Sequence, residues 1–307
     1  MLWITATRIY PCWRAGSRSS RAVSLSSAFV RSSSVGSPAR APSRLLALLA
    51  RVSLAGAPAP FVRPLIARAR RAGASGIGFA MAEKAIELGI NVAIADIGEQ
   101  FLGPAQEKLA EAAADNGVST FGGVCDVTKE ESVQAFADEV AGAFPGLPIS
   151  FLACNAGVVG GGSGVVFSSH EEWMKMLGPN TFGVMNCIRV FVPKMLEQDA
   201  PAAVELTASL AGVGPAGGLY GVSKHACMAL GEALHGEVRG RLSVHVLCPE
   251  IVRSGLNSNL PGFNQLGMQP SRCAEHVFSS IERGNFYVFA DNEEDPGHVA
   301  NAAKARA

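Results

Sequence analysis

Short apolar runs rich in β-branched residues recur from about residue 72 onward, at Asn91–Ala95, Ile149–Cys154, Val204–Thr207, Val244–Cys248 and Phe286–Phe289. A weaker run covers Ser119–Val124. Between them, apolar residues return every three or four positions over Phe79–Leu88, Glu131–Ala143, Trp173–Leu196 and Lys224–Val238, the spacing of helices with a buried face. Strand and helix in regular alternation require crossover connections. The pattern therefore predicts an α/β domain on a doubly wound parallel sheet, covered on both faces. Ligands of such sheets bind at the carboxyl ends of the strands, where the strand order reverses. No internal repeat interrupts the alternation.

Composition narrows the function classes. Of the 307 residues 48% are hydrophobic and 17% charged, enough apolar material for a sizeable core. The 26 basic and 26 acidic side chains balance, which removes the electrostatic case for nucleic acid as a partner. No apolar run approaches the ~18 residues of a membrane span. Seven scattered cysteines without a CxxC pair read as buried thiols of a reducing compartment, and no metal-ligand spacing surrounds the six histidines, so no metal is expected.

The charge balance hides a division. The first acidic residue is Glu83, and twelve arginines but no lysine precede it. Residues 1–71 are also rich in serine, as in Arg18-Ser19-Ser20-Arg21 and Ser32-Ser33-Ser34. Such a composition reads as a disordered basic extension: a mitochondrial or plastid transit peptide, a plain basic tail, or a segment foreign to the natural protein. Without targeting, the protein is expected in the cytoplasm. Pro58, Pro60 and Pro64 suggest a linker before a single folded domain at residues 72–307.

Three groups of residues carry candidate chemistry. Gly73-Ala74-Ser75-Gly76-Ile77-Gly78 opens the Phe79–Leu88 helix, where glycines let backbone approach a pyrophosphate and the helix N-terminus offers donors. Asp96, eighteen residues beyond Gly78, ends the next strand, the position from which a carboxylate holds ribose hydroxyls. Tyr220-Gly221-Val222-Ser223-Lys224 places a phenol and an ammonium four residues apart, on one helix face. A cation beside a phenol favours the phenolate, which suits the tyrosine to general acid/base work. Ser209 follows the Val204–Thr207 strand, and Asn155-Ala156-Gly157 closes the Ile149–Cys154 strand.

This ordered set resembles the short-chain dehydrogenase/reductase family, with a Rossmann-like fold, from about Gly73 to Phe289. The resemblance implies a proton donor and acceptor at Tyr220, assisted by Lys224, which also holds the nicotinamide ribose. It gives Ser209 the substrate oxygen and Asn180 a proton-relay water. It places Asp126 and Val127 at the adenine, and Asn155, Ala156 and Gly157 beside the cofactor ribose. Pro249, Val252 and Ser254 fall near the nicotinamide, and Gly73, Ser75, Gly76, Ile77 and Gly78 form the phosphate loop. The implied activity is interconversion of a secondary alcohol and a carbonyl with NAD, NADP being the second candidate. Asp96 favours NAD by repelling a 2′-phosphate. The implied assembly is a homodimer or homotetramer through the Trp173–Leu196 and Lys224–Val238 helices, helped by Met176, Val184, Met185, Ile188 and Val190. Leu256, Leu260, Phe263, Leu266 and Met268 suggest a lid for a hydrophobic alcohol or ketone.

The sequence also departs from that pattern. Gly73 and Gly76 enclose two residues where the family has three, and Ala72 takes the first glycine position. Residues Ile66–Arg71 stand where the central strand is expected, yet Arg68, Arg70 and Arg71 cannot be buried there without partners. Glu250 replaces the glycine after Pro249, and the Ser209-to-Tyr220 interval is short. These departures keep a second reading open: a catalytically impaired relative that binds through a damaged nucleotide site.

Overall fold

The computed structural model describes residues 59–66, 76–160, 164–214, 217–238, 240–257 and 267–290. Seven strands form one sheet: β1 (Ala59–Ile66), β2 (Ile90–Asp96), β3 (Thr120–Val124), β4 (Phe151–Cys154), β5 (Ala203–Thr207), β6 (Ser243–Pro249) and β7 (Tyr287–Ala290). Their order is β3-β2-β1-β4-β5-β6-β7, and every pairing is parallel. The order reverses between β1 and β4, so the loops after these strands open a crevice there.

The helices are α1 (Ile77–Glu87), α2 (Glu99–Asn116), α3 (Glu130–Ala143), the short α4 (Gly164–Phe167), α5 (His170–Leu177), α6 (Gly183–Glu197), α7 (Gly218–Val238) and α8 (Pro270–Arg283). On one face Phe136 of α3, Phe191 of α6 and Met228 of α7 bury against Leu152, Val204 and Val246. On the other, Met81 and Ile86 of α1, Leu109 of α2 and Val277 of α8 pack with Phe151 and Leu247. Central strands therefore lose the polar alternation of half-exposed strands: all five residues of β5 are buried.

The first strand corrects the expectation placed on residues 66–71. It lies upstream, at Ala59–Ile66, pairing with β2 at Ala59 and, after a register shift, from Val62 onward, and with β4 at Leu65 and Ile66. In sequence, Phe61-Val62 and Leu65-Ile66 supply apolar runs, whereas half of residues 66–71 are arginine. The sheet thus draws its central strand from the segment read as an extension, and the boundary at residue 72 falls after β1. The remainder of that segment lies outside the described residues.

The helix expected over Trp173–Leu196 is broken. α5 starts earlier, at a capping box in which Ser169 accepts from the Glu172 N–H and Glu172 from the Ser169 N–H. A π-helical turn, Gly178–Phe182, then separates it from α6. Pro179 has no N–H to continue an α-helical ladder, and the wider turn absorbs that interruption. Met176, Val184 and Val190, expected to help an interface, are buried in the chain's own core.

Candidate active site

β5 delivers its carboxyl end at Thr207, and Ser209 follows two residues later. The Ser209 hydroxyl accepts from Ala211 N–H at 3.2 Å and starts a 3-10 turn. α7 begins at Gly218, in the left-handed region with φ 71°, which sets Tyr220 in the first turn and Lys224 one turn on. Lys224 is buried, its Nζ donating to Thr207 O at 2.8 Å and lying 5.8 Å from the Tyr220 ring centre.

Asn180 sits in the π turn with no exposed surface. Its Oδ1 accepts from Val158 N–H at 2.7 Å, and its Nδ2 donates to Val158 O and Ser223 Oγ, both at 2.9 Å. Ser223 Oγ in turn donates to Tyr220 O at 2.7 Å, and Thr181 Oγ1 donates to Ser223 O. The π turn is thereby latched to the first turn of α7 that carries Tyr220. A Cβ added at Gly157 would fall 3.1 Å from Asn180 Oδ1 and 3.5 Å from Lys224 Nζ. Asn155–Gly157, Asn180, Tyr220 and Lys224 therefore converge on one place, at the carboxyl ends of β4 and β5.

The cofactor-side residues line the same edge. Gly76 opens α1 with φ 137°, a conformation that side-chain-bearing residues avoid, and no side chain caps this helix end among the described residues. A Cβ at Gly76 would lie 3.8 Å from Ser254 Cβ, so the start of α1 faces the segment after β6. Ile77 and Gly78 follow in the first turn; Gly73 and Ser75 lie outside the described residues. Asp96 ends β2, buried, and accepts from Gly98 N–H. Asp126 accepts from the Thr128 N–H and hydroxyl, while Val127 O receives the Asn186 amide. Pro249 ends β6, and Val252 bridges to Met268. Ala156 is buried, and Asn155 Nδ2 donates to Thr207 Oγ1 at 2.8 Å. A helix start with no side-chain cap among the described residues, a glycine whose side chain would crowd Asn180 beside Lys224, and a carboxylate at the end of β2 fit a dinucleotide along this edge. Of the expected lid, Met268 is core, Leu256 is half-buried, and Leu260, Phe263 and Leu266 lie outside the described residues.

Sequence reading missed Ser223, Thr207 and Glu205. Glu205 is fully buried in the middle of β5, and burial raises its carboxyl to about 8 against the pull of Thr207 and Lys224. A lone acid inside Val204–Thr207 was the available signal. The thiol beside it is inert: burial pushes Cys227 up to about 11.

Residues 71–264 match the family model described as short chain dehydrogenase. The chain belongs to the short-chain dehydrogenase family and is an oxidoreductase of that class. It is 30% identical over 226 residues to 1-deoxy-11-beta-hydroxypentalenate dehydrogenase of Streptomyces avermitilis, covering 71% of this chain and 82% of that protein. It is 31% identical over 201 residues to 2,5-dichloro-2,5-cyclohexadiene-1,4-diol dehydrogenase of Sphingobium indicum, covering 64% and 76%. A short-chain dehydrogenase/reductase from Burkholderia phymatum, crystallised with NAD, matches the fold with a TM-score of 0.65 at 31% identity, covering 78% of this chain and 92% of that one.

Proposed function

We propose that the protein interconverts a hydrophobic secondary alcohol and its ketone, using NAD in preference to NADP. The observation that carries this reading is the buried Lys224 ammonium, held at Thr207 O beneath the Tyr220 ring and beside Gly157. A bound nicotinamide supplies the hydride acceptor or donor. The chain's own work is at the substrate oxygen. Ser209 Oγ hydrogen-bonds that oxygen, and Tyr220 Oη removes or returns its proton. The Lys224 charge stabilises negative charge growing on the Tyr220 oxygen. Asn180 and Ser223 keep the tyrosine's helical turn from drifting.

NAD preference follows from Asp96, whose carboxylate repels a 2′-phosphate. Two relatives named for ring-bearing substrates, a hydroxypentalenate and a cyclohexadienediol, support an alicyclic alcohol. Exposed Met174, Phe182 and Val222 on or between α5, α6 and α7 support association of two or four copies through these helices, to be read by light scattering. We further propose that the basic segment before β1 directs the chain to an organelle, which a fluorescent fusion tests. The functional test is oxidation of a panel of cyclic secondary alcohols with each cofactor. NAD-dependent turnover at least about tenfold more efficient than with NADP, a difference of about 1.4 kcal/mol, is the expected result. An NADP preference of that size contradicts the assignment of Asp96.

A further inference from the structure

Glu205 has no part in the chemistry above, yet a carboxyl with no exposed surface in the middle of a central strand requires a reason. Its Oε1 accepts from Thr207 Oγ1 at 2.8 Å, and Oε2 has no partner among the described residues. Thr207 Oγ1 is also the acceptor for Asn155 Nδ2 at 2.8 Å, so a continuous chain runs from the buried acid to the first residue of the turn beside Lys224. The hydroxyl has one proton, and Glu205 fixes where it points. That leaves a lone pair of the hydroxyl directed at the Asn155 amide. One residue thus reaches both walls of the site, because the Thr207 carbonyl holds Lys224 Nζ at the same time.

We infer that Glu205 is a positioning residue: through the Thr207 hydroxyl it fixes the Asn155 carboxamide, and with it the turn Asn155–Gly157 against which the nicotinamide ribose is to rest. The inference rests on the nicotinamide reading for its consequence, but the relay itself stands on geometry. It operates with Glu205 neutral. With the proton on Oε2 the acid's carbonyl oxygen accepts from Thr207, and only an uncharged O–H is left without a partner among the described residues. A carboxylate would leave a charged Oε2 bare in the core, where the loss of hydration is severe. Rearrangement relieves that cost, and it draws on the Thr207 hydroxyl and, through it, the Asn155 amide. The charged and titratable neighbours are Lys224 and Cys227 on α7, Cys154 on β4 and Cys273 on α8, with His245 its register partner on β6. The Thr207 hydroxyl and the Lys224 charge favour ionisation, and burial outweighs both.

The sign of the effect is fixed by linkage. Glu205 is raised from 4.5 to about 8, so the folded chain holds a proton that the unfolded chain has lost between these values. Stability falls across that window as pH rises and then levels, whereas cofactor affinity, a property of the folded state, changes around and above the upper value. Two variants separate positioning from mere packing. Glu205→Gln keeps an oxygen for Thr207 and cannot ionise; Glu205→Leu removes the acceptor.

The experiment is NADH titration by fluorescence at several pH values, with the Asn155 side-chain amide followed by NMR on 15N-labelled full-length protein. Wild type is expected to lose about tenfold in NADH affinity from neutral pH to about 9.5, with the Asn155 resonance moving in step. Glu205→Gln is expected to be flat in both, and Glu205→Leu to be weak at every pH. An Asn155 resonance that titrates in wild type and not in Glu205→Gln, with no NADH binding at any pH, supports the relay and overturns the nicotinamide reading. An Asn155 resonance indifferent to pH, or a Glu205→Gln affinity that falls as the wild type's does, overturns the inference.

Discussion

Replacing Gly157 by alanine adds a single carbon between Asn180 and Lys224. The new Cβ would stand 3.1 Å from Asn180 Oδ1 and 3.5 Å from Lys224 Nζ. Neither neighbour is free to retreat. Asn180 is fixed by hydrogen bonds of 2.7, 2.9 and 2.9 Å to Val158 and Ser223, and Lys224 by one of 2.8 Å to Thr207 O. Overpacking of this kind costs about 1–3 kcal/mol. Against it, alanine gains roughly 0.4–1 kcal/mol by restricting the unfolded chain. The contact with Lys224 Nζ is an ordinary one, so the strain falls on Asn180; a displacement of the Asn180–Ser223–Tyr220 latch reaches the reacting groups, so most of the penalty appears in turnover. At about 1.4 kcal/mol per factor of ten, kcat/KM is expected to drop roughly five- to a hundredfold, with a small fall in melting temperature. Gly142→Ala in α3, where an added Cβ meets nothing within 4 Å, is the control and is expected to raise stability slightly without touching kcat/KM. Wild-type kcat/KM in Gly157→Ala would refute the convergence of Asn180, Lys224 and the Asn155–Gly157 turn.

Tyr220→Phe is expected to lower turnover about 10²–10⁴-fold while NADH affinity by fluorescence stays near wild type, because only the proton-transfer oxygen is removed. Lys224→Ala is expected to damage both, since the proposed function gives its ammonium the tyrosine and the ribose. Gly231→Ala would drive a Cβ into Val246 Cγ2, joining α7 to β6 too tightly, and is expected to cost about 1–3 kcal/mol in a urea melt. His245 is buried between Ser243 Oγ and Asn285 O, and burial lowers it from 6.5. The unfolded chain therefore binds its proton first. Stability present above pH 6.5 is lost on acidification, and His245→Gln is expected to flatten that loss in melting curves at falling pH.

Strands buried on both faces announce themselves in sequence as apolar runs, which is why β2, β4, β5 and β6 were legible. β1 was not: Pro60, Arg63 and Pro64 interrupt its run, and the eye places the strand next to the glycines instead. α2 was missed for a different reason. Its buried face consists of Leu102, Ala105, Leu109 and Ala113, too slight an apolar stripe to stand out, and Pro104 sits among them. In the site, spacing within one element was readable, as in the four residues from Tyr220 to Lys224. Partners from distant elements were not. Ser223 is joined to Asn180, 43 residues away, and Thr207 to Asn155, 52 residues away. Glu205 looked like one polar residue in a strand until the fold buried it from both sides.

The central claim is that the edge running from Gly76 through Asn155 to Lys224 holds a nicotinamide dinucleotide. Fluorescence titration of the full chain with NADH tests it without knowledge of the substrate. The account predicts saturable binding, weakened by Lys224→Ala and retained in Tyr220→Phe. No saturation at millimolar NADH, or equal binding by wild type and Lys224→Ala, would contradict it and leave a short-chain dehydrogenase fold serving another purpose.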